Sequence, residues 1–269
     1  MTTSNRKFAL ITGATNGIGL ALAKCFAHDG HDLLITARGK NLEETRELLE
    51  GYGVTVTTCA ADLTRSDEVD KVHQAVLDSG RALDAAALNA GIGLGGAFVN
   101  GTALEDEFAL IQINVMSTVQ LTKRLLPAMV ERGAGKLLLT SSISGTTPIP
   151  FEAVYGASKA FINSFFYAVR NEIQGSGVQM TLLLPGPTET NFFHRAGQDE
   201  TEVGAMEKFD PADVARDGYV ALMSGHDTAY GGGASVEYEA EVLNRMESEP
   251  QKAQRHRLIS APGSAGRSR

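Results

Sequence analysis

Phe8-Ala9-Leu10-Ile11-Thr12-Gly13-Ala14-Thr15-Asn16-Gly17-Ile18-Gly19 is the stretch that decides the fold. An uninterrupted apolar run meets a cluster of glycines, and an amphipathic pattern follows over residues 17–29. An apolar run of this length reads as a strand buried on both faces, and the 3.6-residue period after it as a helix. The turn between them is tight, and glycine tolerates the positive φ that such a turn demands. Without side chains at 13, 17 and 19 the backbone stays open to a close-lying ligand. The helix that starts there offers unpaired N–H groups and the positive end of its dipole. A pyrophosphate fits that arrangement. A glycine-rich turn without a ligand is the plainer alternative. Its place at the head of an alternating strand–helix chain favours dinucleotide binding.

The alternation continues outward from that turn. Further strands are predicted at residues 32–36, 54–58, 83–88, 136–140 and 178–184, and further helices at 41–50, 66–78, 104–131 and 153–174. Such a chain builds an α/β fold, a parallel sheet with helices on both faces, joined by right-handed crossovers. No linker interrupts the first 225 residues, so a single domain is expected over 1–249. Residues 230–233 read as a glycine-rich turn and 236–246 as helical. From Pro250 the chain turns polar and ends in Gly, Ser and Arg, so 250–269 is expected to be a disordered tail.

Composition narrows the function. Of 269 residues, 43% are hydrophobic and 21% charged, with a formal net charge of −8. A nucleic-acid partner would call for clustered Lys and Arg, so none is expected. No apolar run approaches the roughly 20 residues that span a bilayer, so no membrane partner is expected either. The first strand begins almost at once, leaving no room for a signal peptide, and the two cysteines, Cys25 and Cys59, have neither metal-site spacing nor a disulfide framework. A cytoplasmic location is expected. The six histidines form no ligand cluster by spacing, so no metal is expected. The signatures of serine hydrolases and phosphate-loop NTPases are missing.

Gly13-x3-Gly17-x-Gly19 resembles the signature of the short-chain dehydrogenase/reductase family, and three further segments agree. Leu88-Asn89-Ala90-Gly91 resembles the family's Asn-Ala-Gly motif, Asp62-Leu63 its adenine-contacting Asp, and Pro185-Gly186-Pro187-Thr188 its nicotinamide-side loop. The match runs in order over residues 8 to 225. It implies a Rossmann-type, doubly wound parallel sheet of seven strands in three α/β/α layers. The seventh strand should follow Gly225, where this sequence departs from the family's usual pattern. The resemblance implies cofactor contacts from Gly13, Thr15, Asn16, Gly17, Ile18 and Gly19, and from the three later segments. Ala37 stands where the family's acidic residue would hold the ribose of NAD, and Arg38 follows it. A carboxylate would repel a 2′-phosphate, whereas a guanidinium pairs with it. NADP(H) is therefore the expected cofactor, with NAD possible.

Tyr155-Gly156-Ala157-Ser158-Lys159 places two titratable side chains one helical turn apart on one face. A free tyrosine titrates near pH 10, and lowering that by ~3 units takes about 4 kcal/mol. A neighbouring ammonium and a cationic nicotinamide would share that task, making Tyr155 a general acid and base. Lys159 in the family also contacts the nicotinamide ribose. Ser142 lies 13 residues earlier, a spacing similar to the family's, and would orient the substrate oxygen. Asn114 matches the family's fourth member, which holds a water linking the lysine to solvent. The expected activity is interconversion of a carbonyl and an alcohol on a small molecule. The alternatives are a non-catalytic cofactor-binding regulator and a cofactor-recycling epimerase or dehydratase. Segments 91–98, 143–152 and 188–206 should wall the substrate pocket, with Phe151, Phe192 and Phe193 as apolar lining; Glu152 and His194 could select a polar group there, but are expected to face solvent. The apolar helices 104–131 and 153–174 form subunit contacts in the family, so a homodimer or homotetramer is expected.

Overall fold

The computed structural model describes residues 6–39 and 41–266. Phe8–Thr12 is β1, and all five of its residues are buried. Then follow α1 (Gly17–His28), β2 (Asp32–Ala37), α2 (Leu42–Glu50), β3 (Val56–Ala60), α3 (Ser66–Asp78) and β4 (Ala85–Leu88). The second half carries α4 (Leu104–Ile111), α5 (Ser117–Arg132), β5 (Gly135–Thr140), α6 (Ala153–Glu172) and β6 (Val178–Pro185). Short helices α7 (Phe192–Arg195) and α8 (Glu202–Ala205) precede α9 (Pro211–Ser224) and β7 (Thr228–Gly231). The chain closes with α10 (Ala234–Tyr238), α11 (Asn244–Met246) and α12 (Glu249–Ser260).

The seven strands form one parallel sheet in the order β3-β2-β1-β4-β5-β6-β7. Strand alternation divides the core into two layers. Leu10, Leu34, Leu137, Leu139 and Leu182 face α3, α5 and α6, burying Val72, Leu121, Ile162 and Phe166. Ala9, Ile11, Ile35, Leu138 and Leu183 face α1, α2 and α9, burying Leu22, Phe26, Leu49, Val214 and Leu222. Helices on both faces explain why the strands read as continuous apolar runs rather than alternating ones. The strand order reverses at β1, between β2 and β4, and a crevice opens at the C-terminal ends there.

Three expectations are corrected. Tyr230 and Gly231, read as part of a turn, end the seventh strand, which pairs with β6 from Leu182↔Thr228 to Pro185↔Gly231. The helix expected over 104–131 contains a π-helical turn at Gln112–Met116. The expected disordered tail is a helix over Glu249–Ser260 with Lys252, His256 and Ser260 buried along one face. Its polar composition concealed that face, which paired polar groups hold in part. Lys252 Nζ meets Glu249 at 2.6 Å, Arg255 pairs with Glu247 at 2.9 Å, and Ser260 Oγ donates to the His256 carbonyl at 2.9 Å. Ser264 Oγ then accepts the Glu202 N–H, and Ala265 N–H donates to the Glu200 carbonyl, clasping the segment to α8. Residues 267–269 of the expected tail lie outside the described residues. Among the described residues no helix is long and apolar enough to cross a membrane.

Candidate active site

A cavity of about 940 Å³ opens at the C-terminal edge of the sheet. It is long enough to run from the glycine turn and Arg38 at one end to Tyr155 and the α7–α8 segment at the other. Its size lies near the upper end for small-molecule sites.

The glycine turn forms the floor of the first half. Gly13 and Gly17 take φ of +67° and +52°, a region that favours glycine. A Cβ on Gly19 would sit 2.1 Å from the Gly13 carbonyl oxygen, so the turn closes only around a glycine. The N-cap residue of α1, Asn16, makes no side-chain capping bond, and the first turn holds no acidic residue. Its amides therefore remain available to an anion, and the helix dipole favours one. Thr12 Oγ1 accepts the N–H groups of Asn89 and Ala90 at 2.9 and 3.0 Å, tying the ends of β1 and β4 together beside the turn. A dinucleotide's pyrophosphate fits this floor. The far rim carries Ala37 and Arg38, and Arg38 makes no ion pair or hydrogen bond among the described residues.

Tyr155 and Lys159 both emerge from the first turns of α6 and are buried. Gly156 N–H bonds to the Glu152 carbonyl at 2.9 Å, which starts the helix and fixes the turn carrying Tyr155. Ser142 and Tyr155 line the same cavity, and the Ser142 hydroxyl favours the ionised form of the phenol. Ser142 Oγ also accepts the Ser144 N–H at 3.1 Å, so its orientation is set by the loop after β5. Lys159 Nζ donates to the Thr140 carbonyl at 3.1 Å and lies 5.8 Å from the Tyr155 ring centre. Burial lowers the ammonium to about 8, so it is still largely charged at neutral pH. Burial pushes the phenol above its ordinary value, while the Ser142 hydroxyl opposes that rise. Within the protein alone, then, burial holds the proton on Tyr155.

Asn114 sits in the π turn, a feature that recurs at functional sites. Its Oδ1 accepts the Ile92 N–H at 2.9 Å, and its Nδ2 donates to the Ile92 carbonyl at 3.0 Å and to Ser158 Oγ at 3.1 Å. A Cβ on Gly91 would lie 3.0 Å from Asn114 Oδ1 and 3.6 Å from Lys159 Nζ, so the three residues crowd one point.

Most residues singled out in the sequence meet in this one cavity. The turn residues 13 and 15–19, Arg38, Leu63, Asn89, Ala90, Gly91, Ser142, Tyr155, Lys159, Pro185, Gly186 and Thr188 all line it. Asp62 does not; its carboxylate accepts the Thr64 N–H and hydroxyl at 3.1 and 2.9 Å, which shapes the turn that presents Leu63. Asn114 stands behind the wall, with Ile113 in it.

At the substrate end, Phe192 packs its ring 5.2 Å from that of Tyr155, and Phe193 lines the wall with it. His194 is exposed and pairs with Asp199 at 2.7 Å. Glu152, expected to face solvent, is buried and lines the cavity. Sequence reasoning also missed the C-terminal wall, in which Ser235, Val236, Glu239, His256 and Ile259 take part. No spacing rule signals it, because these residues come from short helices and the polar α12. No group of three or more His, Cys, Asp or Glu among the described residues comes together to hold a metal ion.

A family model described as short chain dehydrogenase matches residues 7–201. Sulfoacetaldehyde reductase 2 of Chromohalobacter salexigens is 36% identical over 201 residues, covering 73% of this chain and 79% of its own. A second sulfoacetaldehyde reductase of that organism is 37% identical over 210 residues, covering 77% and 83%. A short-chain dehydrogenase from Sphingobium yanoikuyae, solved with NADPH, superposes with a TM-score of 0.80 at 28% identity, covering 89% of this chain and 94% of its own. Fold, glycine turn and catalytic helix thus define a nicotinamide-dependent oxidoreductase acting between a carbonyl and an alcohol. The chain belongs to the short-chain dehydrogenase/reductase family.

Proposed function

We propose that the protein is an NADP(H)-preferring carbonyl reductase in which Tyr155 gives the proton to the substrate oxygen. The observation that carries this is the meeting of Ser142, Tyr155 and Lys159 in one cavity with the uncapped glycine turn. The bound nicotinamide cofactor would supply the hydride donor or acceptor. Everything else falls to the chain's own side chains. Ser142, held by the Ser144 N–H, orients the substrate oxygen next to the phenol. Tyr155, kept protonated by burial, is poised as the acid of a reduction. Lys159 places a positive charge beside the phenolate that results, lowering its cost. Asn114 holds the Ile92 backbone against this group and bonds Ser158, the residue before Lys159. In the reverse direction the same groups take the proton back.

The cofactor preference rests on the second strand's end. Ala37 leaves the rim without a carboxylate, and Arg38 supplies a cation there. A charge-assisted hydrogen bond is worth about 1.5–3 kcal/mol, or roughly 10- to 150-fold in affinity. The NADPH held by the Sphingobium neighbour supports the same choice. Separate titrations of NADPH and NADH into wild type and Arg38→Ala test it. Tighter NADPH binding that the substitution erases is expected. Equal affinities in wild type, or an unchanged ratio in the variant, would refute the role of Arg38.

The substrate named for the two Chromohalobacter relatives is an anionic aldehyde, and the cavity gives little support for carrying it over. Two carboxyl groups, Glu152 and Glu239, line the substrate end, and the arginine there, Arg195, is exposed. A homodimer or homotetramer is the proposed assembly. Leu104, Phe108, Met116 and Phe161 stand exposed on α4, the π turn and α6, an apolar surface that a second subunit would cover.

A further inference from the structure

The substrate half of the cavity is walled mainly by apolar side chains, among them Ile149, Phe192, Val203, Met206 and Ile259. Glu152 interrupts that wall one helical turn before Tyr155. It is 6% exposed, yet no cation neutralises it among the described residues. A carboxyl taken out of water without a cationic partner costs several kcal/mol unless it is protonated or meets a donor. Among the described residues, the Gln198 side chain is the group that favours its ionised form.

The backbone commits Glu152 to this place. Phe151 takes φ of +66°, rare for a bulky residue, and so turns the chain immediately before the carboxyl. Neighbours hold the turn. The Phe151 carbonyl accepts the Gly96 N–H at 2.8 Å, and Arg257 of α12 lies 5.1 Å over the Phe151 ring. Gln198 is fixed likewise, its N–H bonded to the Phe193 carbonyl and its own carbonyl to the Thr201 hydroxyl at 2.7 Å. Gln198 is 1% exposed, and its side-chain oxygen has no donor among the described residues. Glu152 and Gln198 together thus hold more acceptors than donors. A pair in that condition gains most from a ligand that brings a donor, and loses most from one that brings a further anion.

We propose that Glu152 is a specificity-determining residue, which selects carbonyl substrates bearing a hydroxyl or ammonium group beside the carbonyl and turns away carboxylates and sulfonates. Both favoured groups share the same chemistry, a hydrogen-bond donor aimed at a buried carboxyl. The ammonium would bind with Glu152 ionised, and the hydroxyl with it in either state. Glu152 caps the helix that carries Tyr155 three residues on, and both line the same cavity, so the selected group would sit near the reacting oxygen.

The inference rests on the carbonyl-reductase reading, and four aryl ketones of one shape separate the two. They are 2-hydroxyacetophenone, 2-aminoacetophenone, propiophenone and phenylglyoxylate, which carry a hydroxyl, an ammonium, a methyl and a carboxylate beside the same carbonyl. Benzaldehyde serves as the general activity control. In wild type, kcat/KM for the hydroxyl or ammonium ketone should exceed that for propiophenone by at least about tenfold, with phenylglyoxylate lowest. Glu152→Leu should erase the preference over propiophenone. Glu152→Gln, which keeps size and hydrogen bonding, should raise phenylglyoxylate relative to propiophenone by about tenfold or more. NADPH binding measured by fluorescence confirms that each variant is folded. Reduction of benzaldehyde with equal rates for hydroxyl and methyl ketones, or with ratios that Glu152→Leu leaves unchanged, would overturn the role of Glu152 and spare the reductase. A wild-type preference for phenylglyoxylate that Arg195→Ala abolishes would overturn it as well, by assigning the site to an anion. No turnover of any of the five would sink the reductase reading itself.

Discussion

Asn114→Ala removes a side chain that is 2% exposed and makes three hydrogen bonds. Two of them satisfy the N–H and C=O of Ile92, and the third reaches Ser158 Oγ, which itself donates to the Tyr155 carbonyl at 2.7 Å. Each bond contributes about 0.5–1.5 kcal/mol net, and partners left unsatisfied in the interior add to the loss. Ile92 is half-buried, so water can partly replace its lost bonds. The expected cost is about 2–4 kcal/mol, and at roughly 2–4 °C per kcal/mol for a domain of this size the melting temperature should fall by about 4–16 °C. Total stability of about 5–15 kcal/mol leaves the variant folded at 25 °C. Turnover should nonetheless fall by more than about tenfold, because the Gly91–Ile92 backbone that Asn114 pins lies against Lys159. Urea denaturation and thermal melts give the first quantity, and kcat/KM at 25 °C the second. A melting temperature within about 2 °C of wild type would refute the account of the hydrogen bonds. A destabilised variant with undiminished kcat/KM would refute the link to the site.

Glu152 makes stability depend on pH. Burial raises its pKa from the ordinary 4.5 to about 7, so the folded protein binds more protons than the unfolded chain between those values. The stability this group contributes is fully present below about pH 4.5 and is lost as pH rises through 7, a window on the order of 3 kcal/mol. Glu152→Gln should flatten that slope in unfolding free energies measured from pH 4.5 to 8, and parallel curves would contradict the burial of the carboxyl. Light scattering at micromolar concentration should give a multiple of the 28.5 kDa chain mass, and Phe108→Glu with Phe161→Glu should lower it; a wild-type mass of one chain would refute the assembly.

Much of the fold was legible because its strongest signals are local. Phe8–Thr12 is apolar throughout since helices cover both faces of β1, and the glycines after it are imposed by contacts as close as that of Gly19 with the Gly13 carbonyl. Tyr155 and Lys159 share a helix face by spacing alone. What escaped notice depends on long-range contacts. The π turn around Asn114 adds one residue to a helical repeat without disturbing its apolar pattern. Tyr230 and Gly231 join the sheet because β6 offers an open edge, although the glycines that follow read as a turn. The α12 helix buries Lys252, His256 and Ser260, residue types that signal solvent in a sequence. Glu152 was expected outside for the same reason, and the left-handed Phe151 that directs it inward has no signature in residue type.

Tyr155→Phe tests the central claim most directly. The ring and its contact with Phe192 remain, and only the phenolic hydroxyl is lost. NADPH binding, followed by fluorescence, should stay within about threefold of wild type, while carbonyl reduction, followed at the nicotinamide absorbance, should fall by about 10²–10⁴-fold. Near-normal turnover with the phenol gone would contradict the account.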